Sequence, residues 1–332
     1  MKSFEGKFAA ITGGGTGMGR ELARQLAAEG CSVAMCDVSA ANMAQTQAMI
    51  DADRPPQGTR VTAHVADVAD EDQLIRFREE AKAAHDTDVL HLLFNNAGIG
   101  GGGGFVNGSR EAWERTFNIC WGGVYLGCRT FLPMMLPANE AHIVNTASVN
   151  GFWASLGPNV SHTAYAAAKF AVKGFTEALI TDLRLNAPHI KCSVVMPGHI
   201  GTAIASNSRS ILGGSTDGTL TEEEAAGIRA MLRRTLGDVV DHLTAEQLAQ
   251  GMAEQARRFL EDAPTTAAQA ATIILDGVRE DRWRILVGED AHVLDRMVRE
   301  TPEEAYEPSF YDRMAQAAQW RLGGEPAPTP SQ

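Results

Sequence analysis

Over the first two hundred positions, short apolar and β-branched runs alternate with longer segments of helical period. The runs "KFAAIT" (7–12), "SVAMCDV" (32–38), "VTAHVADV" (61–68), "VLHLLFNNAG" (89–98), "HIVNTAS" (142–148) and "KCSVVMPG" (191–198) read as strands, with a further one at "WRILVG" (283–288). Between them, stretches such as "GRELARQLAAEG" and "EDQLIRFREEAKAAH" place apolar residues on one face of a helix. Alternating βα units predict a parallel sheet covered by helices on both sides, a three-layer α/β/α class.

Residues 203–270 differ. They open with "SNSRSILGGSTDGT" and continue into helices started by capping boxes at Thr221/Glu224, Thr244/Gln247 and Thr266/Gln269. These helices are amphipathic and highly charged, too poor in apolar residues for a core of their own, so the region reads as a helical insertion over the sheet edge. The expectation is one domain over 1–322, followed by a Gly/Pro-rich tail, "GGEPAPTPSQ" (323–332), expected to be disordered.

Composition narrows the function. The 332 residues are 44% hydrophobic and 21% charged, and no apolar run approaches the ~18–20 residues a membrane span needs. The start "MKSFEGKFAAITGGG" lacks the pattern of a signal peptide, and five cysteines without CxxC spacing fit reduced thiols, so a soluble, cytoplasmic protein is expected. A formal charge of −12 without a basic aromatic-interleaved run argues against nucleic acid as a partner. Nine histidines occur singly, and no metal site is expected.

Chemistry enters at the first strand-to-helix turn. In "AAITGGGTGMGRELARQLA", Gly13, Gly17 and Gly19 give TGxxxGxG, with Thr16 and Met18 between them. Such a turn lets backbone approach a pyrophosphate at the helix N-terminus. Asp37 ends the second strand eighteen residues beyond Gly19, where its carboxylate can accept from both hydroxyls of an adenosine ribose and would repel a 2′-phosphate. No Lys or Arg occupies the next two positions, so NAD is expected over NADP; Arg20 in the first helical turn is the one cation that could reach a phosphate.

The segment "TAYAAAKFAVKGF" places Tyr165 and Lys169 at i and i+4, on one helix face. A phenol titrates near ~10, and bringing it to about 7 requires roughly 4 kcal/mol of preference for the phenolate. A nearby ammonium, aided by a cationic nicotinamide ring, has the right sign to supply it. Taken in order, TGxxxGxG, "NNAG" at 95–98, Asn118, Ser148, YxxxK and "PGHIGT" at 197–202 resemble the short-chain dehydrogenase/reductase family over residues 5 to about 202.

The resemblance implies a doubly wound Rossmann-type sheet and hydride transfer between NAD(P) and an alcohol or carbonyl. It further implies Tyr165 as general acid/base, Lys169 as the group that lowers its pKa and holds the nicotinamide ribose, Ser148 as the donor to the substrate oxygen, and Asn118 as the holder of a water beside the lysine. Asp67 with Val68 would contact adenine, Asn96, Ala97 and Gly98 would floor the ribose, and Pro197, Gly198, Ile200 and Thr202 would clamp the nicotinamide. Ser148 lies seventeen positions before Tyr165, more than usual, and Ser155 and Ser161 lie nearer in sequence; Ser148 is preferred because it directly follows a strand.

In the enlarged loop between them, Phe152 and Trp153 read either as substrate-site lining or as local packing. The long segment after Thr202 suggests an enlarged substrate lid, with Met231, Leu232, Leu236, Leu243 and Leu248 as candidates for an apolar wall. The expected substrate is a bulky, apolar or aryl secondary alcohol or its ketone. The helices at 109–135 and 163–186 pack between subunits in relatives, implying a homodimer or homotetramer. The competing readings are an NADPH-dependent ketone reductase and a catalytically silent NAD-binding sensor or scaffold; an epimerase or dehydratase on the same sheet is disfavoured, since such relatives carry a different glycine spacing and a larger C-terminal substrate domain.

Overall fold

The computed structural model describes residues 1–101, 103–157, 160–214, 218–318 and 320, so the expected disordered tail at 323–332 lies outside the described residues. Strands β1 (Phe8–Thr12), β2 (Ser32–Asp37), β3 (Val61–Val65), β4 (Leu92–Asn95), β5 (Ala141–Thr146) and β6 (Ile190–Pro197) are the six runs expected in the first part of the chain. They form one sheet in the order β3-β2-β1-β4-β5-β6, extended by a late strand at Arg284–Val287, and every pairing is parallel. All five residues of β1 and all six of β5 are buried, which is why these strands read as continuous apolar runs rather than alternating ones.

Helices α1 (Gly17–Ala28) and α2 (Ala40–Asp53) cover one face through Leu22, Leu26, Met43 and Ile50. The other face carries α3 (Glu71–His85), then α4 (Arg110–Phe117), a π turn at Asn118–Gly122, α5 (Gly123–Met135) and α6 (Thr163–Asn186). Its core includes Phe77, Phe131, Met134 and Ala168. The chain leaves β1 toward β2 and β3, then returns to β4 on the other side of β1. That reversal opens a crevice at the carboxyl ends of β1 and β4, the place where open α/β sheets bind ligands.

After β6 a two-residue strand β7 (Ile200–Gly201) pairs with β8 (Thr265–Thr266). Between them lie α7 (Ile204–Ile211), α8 (Glu222–Leu236), a 3-10 turn (Gly237–His242) and α9 (Ala245–Glu261). All three capping boxes form, with the threonine oxygen accepting from the backbone three residues on. The third box, at Thr266, opens α10 (Ala267–Arg279), which packs Ile274, Leu275 and Val278 into the central core. α10's apolar stripe seats it on the sheet beside α1, so the helices that stand off the sheet run from α7 to α9, within the expected insertion of about 203–270.

β9 (Arg284–Val287) is followed by α11 (Glu289–Glu300) and α12 (Pro308–Ala317), which close a further apolar cluster on the loop after β5. Trp153 sits in that cluster, only 1% exposed, with its Nε1–H donating to the Ala305 carbonyl at 2.6 Å and its ring packed on Phe310 and Trp320. Phe152 lies beneath the Arg284 guanidinium, 5.7 Å from the ring centroid. Of the two readings for these aromatics, local packing is the one observed. Among the described residues no helix is long and apolar enough to cross a membrane.

Candidate active site

The glycine turn is shaped by two residues in the left-handed region, Gly13 (φ 70°) and Gly17 (φ 55°), where a side chain would be strained. A Cβ on Gly13 would come 2.9 Å from the Ala97 Cα, and one on Gly19 would come 2.0 Å from the Gly13 carbonyl. The turn is thus held closed on the end of β4. Thr12 Oγ1 accepts from the backbone N–H groups of Asn96 and Ala97, both at 3.0 Å, while Asn96 Nδ2 donates to the carbonyl of Thr12 at 3.1 Å. Asn96 Oδ1 is buried without a hydrogen-bond partner among the described residues.

Asp37 faces this turn. The N–H of Gly15 donates to its Oδ2 and the N–H of Ser39 to its Oδ1, both at 3.0 Å, which fixes the carboxylate and leaves each oxygen a lone pair toward the cleft. Arg20 is occupied elsewhere: its guanidinium donates to the Gly15 carbonyl, to Thr46 Oγ1 and to Gln45 Oε1. The cleft is lined by Gly13, Thr16, Gly17, Met18, Asp37, Asp67, Val68, Asn96, Ala97, Gly98 and Thr202, all expected from sequence.

Some expected cofactor residues do not line it. Gly19 works by close packing within the turn. Pro197 ends β6, Gly198 is pressed against the Asp290 carboxylate, and the Ile200 side chain is buried in the central core. Of the 197–202 segment, Thr202 is the residue that reaches the cleft, because the neighbouring backbone is bound to α11: Asp290 Oδ2 accepts from the His199 N–H at 2.6 Å.

Other lining residues were not expected, Arg115 and Asn207 among them. Arg115 of α4 pairs with Asp67 at the far end of the cleft. Asn207 of α7 donates through Nδ2 to Thr16 Oγ1 at 3.0 Å, and the adjacent Ser208 accepts from the Gly100 N–H at 2.7 Å. Helix α7 is therefore stitched across the cleft, from the glycine turn to the loop after β4. Ile204 and Ile211 of α7 line the cleft, in contrast to the expected wall: Leu232, Leu243 and Leu248 do not, and the side chains of Met231 and Leu236 lie outside the described residues.

Beyond Gly98 the reactive groups meet. Lys169, 2% exposed, donates from Nζ to the Thr146 carbonyl at 2.8 Å and lies 5.3 Å from the centre of the Tyr165 ring. Ser148, at the end of β5 and itself buried, accepts from the Asn150 N–H at 3.1 Å and lies by the Tyr165 hydroxyl. Burial, with the Cys120 thiol alongside, pushes the Tyr165 hydroxyl above the usual tyrosine range, and the Ser148 hydrogen bond opposes this. Burial also lowers the Lys169 ammonium. The expected acid phenol is thus not a property of the protein alone: with the ammonium bound to Thr146, desolvation outweighs it.

Asn118 requires correction. It is exposed at the first residue of the π turn, whereas Cys120, fully buried, donates its thiol to the Ile99 carbonyl at 3.2 Å. Lys169 Nζ and Cys120 Sγ lie at 3.5 and 3.7 Å from the same point above Gly98. The wider π turn rotates the chain past the face a 3.6-residue period assigns, so the thiol takes the place beside the lysine. Among the described residues no cluster of His, Cys, Asp and Glu could hold a metal.

A family model described as short chain dehydrogenase matches residues 7–212. A protein named as oxidoreductase SadH, from Mycobacterium tuberculosis, is 31% identical over 299 residues, spanning 90% of this chain and 92% of its own length. Among solved structures, a short-chain dehydrogenase/reductase from Burkholderia phymatum in complex with NAD aligns at a TM-score of 0.70 and 31% identity, covering 93% of this chain and 98% of that one. A metagenomic short-chain oxidoreductase in complex with NADP aligns at 0.51 and 28% identity, covering 59% and 83%. The glycine turn, the Ser148, Tyr165 and Lys169 cluster and these likenesses agree: the chain belongs to the short-chain dehydrogenase family, an oxidoreductase of CH–OH groups that works with a nicotinamide dinucleotide.

Proposed function

We propose that the protein interconverts a bulky apolar or aryl secondary alcohol and its ketone with NAD. The observation that carries this reading is the convergence of Ser148, Tyr165 and Lys169, with Lys169 beside Gly98, next to a cleft that Gly98 and Asp37 both line. The cleft fits the cofactor: glycines leave room for a pyrophosphate, Asp37 offers free lone pairs to a ribose, and the residues after it, Val38 and Ser39, carry no cation for a 2′-phosphate. NAD, when bound, supplies the hydride acceptor. With Arg20 engaged by Gly15, Thr46 and Gln45, nothing in the first turn of α1 favours NADP.

The chain's own groups handle the proton. Ser148 Oγ holds the substrate oxygen and stabilises the charge that develops there. Tyr165 accepts the hydroxyl proton as the alcohol is oxidised and returns it as the ketone is reduced. Lys169, anchored at Thr146, keeps two N–H groups for the nicotinamide ribose, and Cys120 fixes the loop under it through Ile99. Exposed Tyr125 and Phe170, on α5 and α6, support pairing of copies through that face.

The upward shift of Tyr165 sets the sign of the pH response. At neutral pH the phenol keeps its proton, which suits ketone reduction; oxidation requires the phenolate and rises as pH climbs toward the phenol's range. Initial rates between about pH 6 and 10, with an aryl alcohol plus NAD and with its ketone plus NADH, should show these opposite slopes. Tyr165→Phe should lower both rates by about 10²- to 10⁴-fold. Equal rates in the variant and the parent would remove the mechanism.

A further inference from the structure

His162 precedes α6, and its ring lies against that of Tyr165, with centroids 4.6 Å apart and planes tilted by 37°. The other histidines that are not exposed each have a hydrogen-bond partner: His64, His85 and His91 on Thr62 or the Phe8 N–H, His142 on Ser193, His189 and His199 on backbone carbonyls. His162 has none among the described residues, and its side chain does not cap the helix that follows it. Burial alone drops its pKa to about 4, with no charged group contributing, so the ring is neutral and offers one N–H and one lone pair. Its ring nitrogens are not sealed from solvent, so the donor and the acceptor are open to an incoming ligand.

Thr163 is fixed from above, donating its N–H to the Gly103 carbonyl at 3.2 Å and accepting from Trp113 Nε1 at 3.0 Å. Phe105, Trp113 and Phe117 stack into an aromatic wall over the same end of α6. The imidazole thus presents a donor and an acceptor, unpaired among the described residues, beside the phenol.

We propose that His162 is a specificity-determining residue: its imidazole hydrogen-bonds a second, uncharged oxygen of the substrate, on the carbon next to the reacting one or one further along. The close stacking of the two rings matches that separation, and the absence of a charged neighbour favours a hydroxyl or carbonyl over a carboxylate. The substrate class becomes an apolar or aryl ketone with a neighbouring oxygen function, such as a hydroxyketone or diketone, and its alcohol. This rests on the proposed alcohol/ketone activity.

The test is a ratio of affinities, read without turnover. In a Tyr165→Phe background saturated with NADH, acetophenone and 2-hydroxyacetophenone are titrated by nicotinamide fluorescence, with His162 intact, as His162→Phe and as His162→Gln. The expected result is a preference of about tenfold or more for the hydroxyketone with His162, a ratio near one in the phenylalanine variant, which keeps the stacked ring, and a partly kept ratio in the glutamine variant, which keeps donor and acceptor. A ratio near one with His162 intact, or one unchanged by His162→Phe, overturns the proposal. Failure of the underlying activity shows separately, as ketone turnover undiminished by Tyr165→Phe in the otherwise native chain.

Discussion

The two ends of the cleft are built by different means. At the nucleotide end, backbone does the positioning: two glycines with positive φ, a third packed on a carbonyl, and N–H groups donating to Asp37 within one strand-turn-helix unit. At the other end, side chains from distant segments meet: Ser148 from the end of β5, Cys120 from a π turn, and His162, Tyr165 and Lys169 from α6 and its head, beside a loop that the C-terminal helices back. The first end tolerates almost no substitution and little variety of ligand. The second can change its ligand by exchanging single side chains.

That contrast can be broken most severely at Gly19. Gly19→Val places atoms where the Gly13 carbonyl already lies, so the turn must open; NAD affinity, read by fluorescence of the reduced form, should fall at least about a hundredfold, near 3 kcal/mol. Asp37→Ser removes the carboxylate, and with it the acceptors of the Gly15 and Ser39 N–H groups. Discrimination for NADH over NADPH in kcat/KM should fall by about 10- to 100-fold, consistent with a charged hydrogen bond of ~1.5–3 kcal/mol, and an unchanged ratio would place selection elsewhere. The smallest effect is expected from Asn207→Ala, which cuts one neutral stitch of α7. KM for NAD should rise a few-fold to about tenfold, in line with ~0.5–1.5 kcal/mol, while Tm moves little.

The legible part of the molecule follows the same division. Strands of the sheet appear in the sequence because each is a short apolar run bounded by turn residues, and the glycine turn and Asp37 appear because their spacing is set by one local unit. The capping boxes are local as well, and all three form. Asn118 was misplaced because a π turn breaks the helical period, a departure with no local marker in "FNICWGG". The place of Trp153 depended on α11 and α12, whose contacts span a hundred or more positions. The burial that raises the Tyr165 hydroxyl in the chain alone is likewise not legible in the sequence, which names the neighbouring ammonium but not the carbonyl that holds it.

Trp153 has a practical consequence. Its indole is pinned by Ala305 and walled by Phe310 and Trp320, while Val149, in the same cluster, directly follows Ser148. A protease cut or an early stop before α11 would therefore strip the scaffolding from behind the serine while every group that touches the reactants stayed in the chain. Shortened forms of this protein would look complete by motif and yet lack what holds Ser148 in place.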